Sequence, residues 1–138
     1  MYRDIKPDNI MITKDKIVKL IDFGLCKRED HGETLCGSNG YIAPEVVFNE
    51  ERTYDRRVDI WSVGSMLYTS LFGYCPFLLN QHMMSNFSRM QLENALYLPY
   101  DLLQECEVDS VLLEIIEKSV VADPNKRATP QQLKEMLQ

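Results

Sequence analysis

The stretch of residues 59–72 is apolar on nearly every face of a helix. Gly73 follows as a candidate helix C-cap, and Pro76 lies beyond it. A helix without a polar face has to be surrounded by the rest of the fold. The sequence therefore predicts a mainly helical fold, a bundle around a buried central helix, whose apolar side chains are Ile60, Trp61, Val63, Met66, Leu67 and Leu71.

Length and composition are typical of one soluble globular domain, with 138 residues, 45% hydrophobic and 26% charged. The net charge of −6 argues against nucleic acid as the main partner and favours cationic peptides. Four cysteines without a C-x-x-C pair fit a reducing compartment, the cytoplasm or the nucleus. The N-terminus lacks the apolar core of a signal peptide.

The longest stretch without Lys, Arg, Asp or Glu covers residues 60–88. Its length would suffice to cross a bilayer, but glycine, proline and amide side chains interrupt it. We therefore predict no membrane span. Two further helices are predicted, one around residues 112–116 that ends at Val121, and a last one with Thr129 as N-cap and Pro130 in its first turn.

The segment "NIMITKDKIVKLID" predicts two short strands around a turn at Asp15 and Lys16. With a two-residue turn, Asn9 lies opposite Asp22, roughly 5 Å away. Asp-Lys is not a favoured type I′ pair, so a register shifted by one residue is the alternative. Residues 24–40 contain four glycines and no periodicity, which predicts a loop that can move.

Four polar residues near the N-terminus have the chemistry that phosphoryl transfer from ATP requires. Such a transfer needs a carboxylate that orients the hydroxyl and accepts its proton, a nearby cation, and ligands for metal ions. Asp4 is the candidate base, Lys6 the cation, and Asn9 and Asp22 the candidate Mg²⁺ ligands. Asp4 and Asn9 as simple turn formers around a proline are the alternative, which Lys6 and Asp22 make less favourable.

Several motifs stand in the order and spacing of eukaryotic protein kinases, which the chain resembles from residue 1 to about residue 137. They correspond to the catalytic loop, the metal-binding loop, the end of the activation segment, the central helix and the arginine near the end, and read "YRDIKPDN", "DFG", "APE", "DIWSVG" and "DPNKRAT". Lys6 is typical of the serine/threonine enzymes. The resemblance implies a serine/threonine protein kinase that uses ATP and Mg²⁺ and has protein substrates and an upstream activating kinase.

Two subgroups remain open. Tyr2 in place of the usual histidine, "DFGLCK" and "TLCGS" resemble the AGC group, which includes cyclic-nucleotide-dependent and Akt-like kinases. The segment "YDRRVDIWSVG" equally resembles calmodulin-dependent kinases.

The resemblance assigns roles in the activation segment. Thr34 occupies the position of the activation phosphosite, and Arg3 and Lys27 would hold its phosphate. Ser38 matches the hydroxyl residue that touches the catalytic base and the lysine.

Four further positions are expected to be structural. Gly24 ends the metal-binding loop, and Glu45 and Arg127 are expected to form a partly buried ion pair. Asp59 either caps the central helix or accepts hydrogen bonds from the catalytic-loop backbone, and both roles are compatible.

Cys26, His31 and Cys36 suggest a metal site, but three ligands without a fourth make a poor zinc site. Free thiols are the favoured interpretation, and a disulfide between the two cysteines is the alternative.

For substrate choice, Asn39-Gly40 replaces the usual Pro and acidic residue.

A preference for basic substrates is only weakly indicated. Thr69 stands where many arginine-preferring kinases carry glutamate, and Asp8 is the acidic residue left to contact a basic side chain.

The glycine-rich loop and the strand lysine of the family do not occur in these residues. Residues 1–138 are thus predicted to be a partial kinase domain, from the catalytic loop to the final helix, with the ATP-covering N-lobe absent and the fragment inactive by itself. A non-catalytic remnant that binds proteins is the alternative.

Overall fold

The computed structural model describes residues 1–48, 53–76 and 108–138. Helices dominate this part of the chain, and each of its two sheets has two antiparallel strands. In chain order the elements are a short 3₁₀ helix (Pro7–Asn9), β1 (Ile10–Ile12), β2 (Val18–Leu20), β3 (His31–Gly32), α1 (Pro44–Phe48), β4 (Tyr54–Asp55), α2 (Arg57–Phe72), α3 (Ser110–Ser119) and α4 (Pro130–Glu135).

The predicted central helix is α2, which begins at Arg57, two residues earlier than its apolar pattern indicates. Its N-cap is Arg56, which makes no capping hydrogen bond through its side chain. The prediction that Asp59 caps this helix is therefore wrong, because Asp59 lies inside the first turn. Gly73 ends the helix with a φ of 79°, a left-handed conformation that glycine adopts without strain, and this confirms the predicted C-cap.

The main core lies between α2 and α3. Trp61 and Tyr68 are each 2% exposed, and they share a cluster with side chains of α1, β4 and α3. Gly64 permits the close approach of the two helices, since a Cβ atom there would come within 2.6 Å of the Cβ of Ser119. A second cluster joins α2 and α3 to α4 through Ile60, Ile115, Ala128 and Leu133.

The hairpin register is shifted by one residue from the main prediction. Ile10 pairs with Leu20 and Ile12 with Val18, so Asn9 lies opposite Ile21, whose amide donates to the Asn9 carbonyl at 2.9 Å. The connecting loop comprises residues 14–16 and ends in Lys16 with a φ of 60°. A three-residue loop with a left-handed last residue suits this sequence better than a type I′ turn with Asp-Lys at its centre.

The second sheet contradicts the prediction that residues 24–40 form only a loop. His31 pairs with Asp55 and Gly32 with Tyr54, so β3 is held against the strand that leads into α2. A strand of two residues is too short for an alternating pattern, and its partner is distant in the sequence. Of the one or two small hairpins that the sequence predicts, the described residues contain one, formed by β1 and β2.

The last two helices agree closely with the predictions. α3 ends at Ser119, with Val120 as its C-cap, two residues before the predicted end. Thr129 caps α4 and forms a capping box with Gln132.

Among the helices of the described ranges, none has both the length and the apolar character to cross a membrane. Cys106 and the part of the charge-free stretch from residue 77 to residue 88 lie outside those ranges.

Candidate active site

Asp4 stands at the centre of a hydrogen-bonded cluster. One carboxylate oxygen, Oδ1, accepts from the Ser38 hydroxyl at 2.7 Å. The other, Oδ2, accepts from the Asn9 side-chain amide at 2.8 Å and lies 3.1 Å from the Lys6 ammonium. The side chain of Asp4 is 12% exposed, so the cluster is largely shielded from water.

Lys6 completes a triangle with the base and the serine, since its Nζ donates to the Ser38 hydroxyl at 2.6 Å. Ser38 therefore touches both residues that the family resemblance assigned to it. Burial by itself would raise the pKa of Asp4, but the hydrogen bonds from Ser38, Lys6 and Asn9 outweigh it and hold that pKa below its ordinary value. Asp4 is thus an ionised carboxylate at neutral pH.

Asp59 holds the backbone that leads into Asp4. Its two oxygens accept from the amides of Tyr2 at 2.8 Å and Arg3 at 2.7 Å. Arg3 has a φ of 73°, an uncommon left-handed conformation for a residue with a side chain, and the surrounding contacts have to maintain it. Of the two roles considered for Asp59, the structure supports the one in which it orders the catalytic-loop backbone.

The two candidate metal ligands are held differently. Asn9 is 6% exposed and donates its Nδ2 to both the carbonyl and the carboxylate of Asp4, which turns its oxygen Oδ1 the other way. Asp22 is exposed, has a φ of 60°, and accepts from the Gly24 amide at 3.0 Å. No direct hydrogen bond joins Asp22 to the Asp4 cluster among the contacts described. The structure thus brings Asp4, Lys6, Asn9 and Ser38 together and leaves Asp22 outside their network.

Thr34 is exposed, and its carbonyl accepts from the Tyr54 hydroxyl at 2.7 Å. Arg3 donates to the same hydroxyl at 3.1 Å, so its guanidinium lies near the predicted phosphosite. Lys27, the other residue expected to hold a phosphate, forms an ion pair with Glu29 at 2.5 Å.

The predicted ion pair between Glu45 and Arg127 is confirmed. Arg127 donates from Nη1 and Nη2 to the two carboxylate oxygens at 2.7 and 3.0 Å, and both residues are buried. Arg127 also donates to the carbonyls of Val121 and Arg57, and its guanidinium lies over the Trp61 ring at 5.4 Å. These contacts tie the end of the activation segment to α2.

The cysteines of the segment between β2 and α1 are free thiols. Cys26 is exposed, and Cys36 contacts the Tyr54 hydroxyl at 3.6 Å. Within the described ranges, no three His, Cys, Asp or Glu side chains are grouped so as to hold a metal ion.

Sequence reasoning missed Tyr54 and Asp55. Tyr54 joins Arg3 to Thr34, and Asp55 accepts from the backbone and guanidinium of Arg57 at the start of α2. Both stand at the start of "YDRRVDIWSVG", ahead of the central-helix motif "DIWSVG", and these first residues were used only to choose between kinase subgroups. No local periodicity marks a side chain that works through contacts with distant segments.

The chain is similar in sequence to known protein kinases. The sequence model described as "Protein kinase domain" matches residues 1–137. Serine/threonine-protein kinase cds1 of Schizosaccharomyces pombe is 38% identical over 135 residues, and the RAC family serine/threonine-protein kinase homolog of Dictyostelium discoideum is 36% identical over 132 residues. Serine/threonine-protein kinase Sgk3 of Rattus norvegicus is 38% identical over 125 residues.

The alignments cover 91%, 92% and 86% of this chain, in the same order. They cover 28%, 28% and 24% of the relatives, so the chain spans about a quarter of their length. All three relatives are named as serine/threonine-protein kinases, as the motifs of the catalytic loop indicated. With a match from residue 1 to residue 137 and these relatives, the chain belongs to the protein kinase domain family.

Proposed function

We propose that this chain catalyses, as part of a longer polypeptide, the transfer of a phosphoryl group from ATP to the hydroxyl of serine or threonine in protein substrates. The observation that carries the proposal is the contact of Asp4 with the Ser38 hydroxyl at 2.7 Å, beside Lys6. A carboxylate that already accepts a hydrogen bond from one hydroxyl beside an ammonium group is suited to receive a substrate hydroxyl in the same way.

Asp4 would accept the proton of the substrate hydroxyl at one of its carboxylate oxygens. Its lowered pKa keeps it ionised, and its hydrogen bonds with Asn9 and Ser38 fix the direction of its oxygens. Lys6 would place a positive charge beside the transferred group, where negative charge has to be stabilised. The residues of this cluster therefore supply orientation, proton acceptance and charge stabilisation.

The donor set fits Mg²⁺, a hard ion that prefers oxygen ligands and is held by few protein groups together with phosphate oxygens. Asn9 presents a carboxamide oxygen on the side away from Asp4, and Asp22 has one carboxylate oxygen beyond the one that binds Gly24. When bound, Mg²⁺ would neutralise the charge of the ATP phosphates. Asn9 and Asp22 are the residues that we expect to hold it.

Regulation by phosphorylation of Thr34 is part of the proposal. The side chain of Thr34 is accessible to an upstream kinase, and Arg3 lies near its backbone. A phosphate of charge near −2 would attract this guanidinium. Lys27 would have to leave Glu29 in order to take part.

Other features of the proposal concern the substrate and the setting. Asp8 is exposed and is available to a basic peptide, whereas Thr69 binds the Ser65 carbonyl and carries no charge.

The free cysteines support a reducing compartment, the cytoplasm or the nucleus. Because the relatives are about four times longer, we propose that residues 1–138 are the part of a kinase domain that follows its ATP-covering lobe.

The test is transfer of the γ-phosphate of labelled ATP to a library of serine and threonine peptides. It compares the 138-residue chain with the longest polypeptide that its gene encodes. The nucleotide sequence upstream of Met1 is searched for an in-frame glycine-rich loop and strand lysine. We expect Asp4→Asn in the active form to lower turnover by roughly 10²–10⁴-fold. The matched control is Asp15→Asn, which changes an exposed carboxylate in the hairpin loop.

Equal rates for the Asp4 and Asp15 variants would contradict the proposal. Absence of transfer by both the short and the long polypeptide would favour the alternative, a non-catalytic protein that binds other proteins.

A further inference from the structure

Tyr54 has no part in the chemistry proposed above, yet its hydroxyl joins three segments of the chain. The residue lies in β4, directly before α2, and is 5% exposed. Its hydroxyl contacts Arg3, which precedes the candidate base, and Thr34 and Cys36 in the activation segment. A buried aromatic ring is ordinarily a packing residue, so the arrangement of the hydroxyl decides whether it does more.

The direction of each hydrogen bond follows from the single proton of the phenol. That proton is donated to the Thr34 carbonyl at 2.7 Å, so the oxygen accepts from Arg3 Nη1 at 3.1 Å. The Cys36 thiol at 3.6 Å is then the donor in the third contact. Burial raises the pKa of Tyr54, opposed by the hydrogen bond from Arg3 and supported by Cys36, so the hydroxyl keeps its proton at neutral pH.

The backbone of Tyr54 holds the same segment a second time. Tyr54 pairs with Gly32 across the small sheet, and its ring lies so close that a Cβ atom on Gly32 would clash with it. The strand thus fixes residue 32, and the hydroxyl fixes residue 34. Two attachment points this near to each other restrict both the position and the direction of the segment that carries Thr34.

Arg3 is held on the other side of this connection. Its amide donates to Asp59 of α2 at 2.7 Å, and its Nε donates to the Leu25 carbonyl at 2.6 Å. Its Nη1 donates to the Tyr54 hydroxyl oxygen at 3.1 Å. The Tyr54 hydroxyl therefore sets the spacing between the Arg3 guanidinium and the backbone of Thr34, while the backbone of Arg3 is bonded to α2.

We propose that Tyr54 is a positioning residue that couples Arg3 to the activation segment, so that a phosphate on Thr34 meets a guanidinium already held in place. In its regulatory part this rests on the proposed function. Before phosphorylation the same hydroxyl limits how far residues 33–36 move away from the base. The coupling depends on the hydroxyl and not on the ring. Removing the hydroxyl alone therefore tests the coupling without changing the packing of the ring in the core.

The test compares Tyr54→Phe with Tyr68→Phe in the longest polypeptide of the gene. Tyr68 is a matched control, because it is 2% exposed and its hydroxyl donates to Tyr74, away from the activation segment. Amide hydrogen exchange of residues 33–37 is measured by mass spectrometry. We expect roughly two- to tenfold faster exchange in Tyr54→Phe, as for one lost hydrogen bond, and parental exchange in Tyr68→Phe. Unchanged exchange in both variants would overturn the proposal.

A second measurement tests the link from the side of Arg3. Arg3→Met keeps an unbranched apolar stem but removes the donor to Tyr54, so it should accelerate exchange in the same residues. The double variant should exchange at a rate close to that of the faster single variant, since both remove one connection. If Tyr54→Phe does not fold, Arg3→Met decides the question, and parental exchange in it contradicts the coupling.

Activity separates this inference from the proposed function. If the parent transfers phosphate, the ratio of rates with Thr34 phosphorylated and unphosphorylated should fall at least about threefold in Tyr54→Phe and stay parental in Tyr68→Phe. An equal ratio in all three proteins would refute the role in activation. If the parent transfers no phosphate, the proposed function fails, while the exchange measurement still decides whether Tyr54 positions the segment.

Discussion

The two ends of the candidate site are constructed differently. At one end, Asp4 contacts Ser38 and Asn9, and Asp59 of α2 holds the backbone before it. At the other end, Asp22 is exposed and binds the amide of Gly24, only two residues further on. The hairpin that leads to Asp22 also exposes large apolar side chains, among them Met11, Ile12, Ile17, Val18 and Leu20.

This difference indicates which contacts determine each end. The candidate base Asp4 contacts Ser38, 34 residues away, and the preceding Arg3 contacts Asp59, 56 residues away, so the geometry of Asp4 depends on the tertiary fold. Asp22 is positioned by its own backbone conformation and a neighbouring amide, so its geometry is local. Substitution of the residues that hold Asp4 in place should therefore destabilise the fold. Substitution of Asp22 should affect ligand binding with little change in stability.

Arg127→Met should have the largest effect, because it leaves Glu45 as a buried carboxylate without its partner. We expect a loss of about 3–5 kcal/mol in the free energy of unfolding, measured by urea denaturation. Lys126→Met, at an exposed neighbouring position, is the control and should change stability by less than about 0.5 kcal/mol. A loss below about 1 kcal/mol for Arg127→Met would show that the anchoring by α2 is weaker than its contacts indicate.

Asp59→Asn should have the next largest effect. A carboxamide has one oxygen, so one of the amides of Tyr2 and Arg3 loses its acceptor and faces a donor. The expected loss is about 1–3 kcal/mol in the free energy of unfolding, together with slower phosphate transfer. Glu114→Gln is the control at an exposed position of α3. Equal stability of the two variants would remove α2 from the account of how the base is held.

The contribution of Asp55 to the free energy of unfolding should depend on pH. Hydrogen bonds from Arg57 lower its pKa, and burial opposes them less strongly. A lowered pKa in the folded state means that Asp55 stabilises the fold above its ordinary pKa and loses this contribution as the pH falls through the lowered value. Asp55→Asn should therefore cost about 1 kcal/mol at neutral pH and nothing in strong acid. Urea denaturation across this pH range measures the difference, and a difference independent of pH would contradict the assignment.

Asp22→Asn should have the smallest effect on stability, within about 0.5 kcal/mol, because its side chain is exposed and its contact is local. Under the proposed function, the same change should raise the Mg²⁺ concentration needed for phosphate transfer, since a neutral oxygen replaces the charged oxygen of the proposed ligand. Denaturation and a Mg²⁺ titration of activity measure the two effects. A loss of more than about 1 kcal/mol would show that Asp22 also supports the fold.

Features with local causes could be predicted from the sequence. The central helix follows from its apolar residues, its end from Gly73, and the start of α4 from the capping box at Thr129. In each case the residues that determine the structure lie within a few positions of one another. The ion pair of Glu45 with Arg127 was also expected, but from the family resemblance and not from any local pattern.

Two features were wrong or missed. The main hairpin register was wrong by one residue for a local reason, since Lys16 adopts a left-handed conformation that its residue type does not favour, and the shifted register was the alternative. The pairing of His31–Gly32 with Tyr54–Asp55 has no signal in either segment.

The sequence by itself thus determined which groups are present near Asp4 and that an apolar helix lies at the centre of the fold. Only the tertiary structure decided that Asp59, Ser38 and Tyr54 meet around residues 3 and 4, because their hydrogen bonds join segments that become neighbours only when the chain packs against α2.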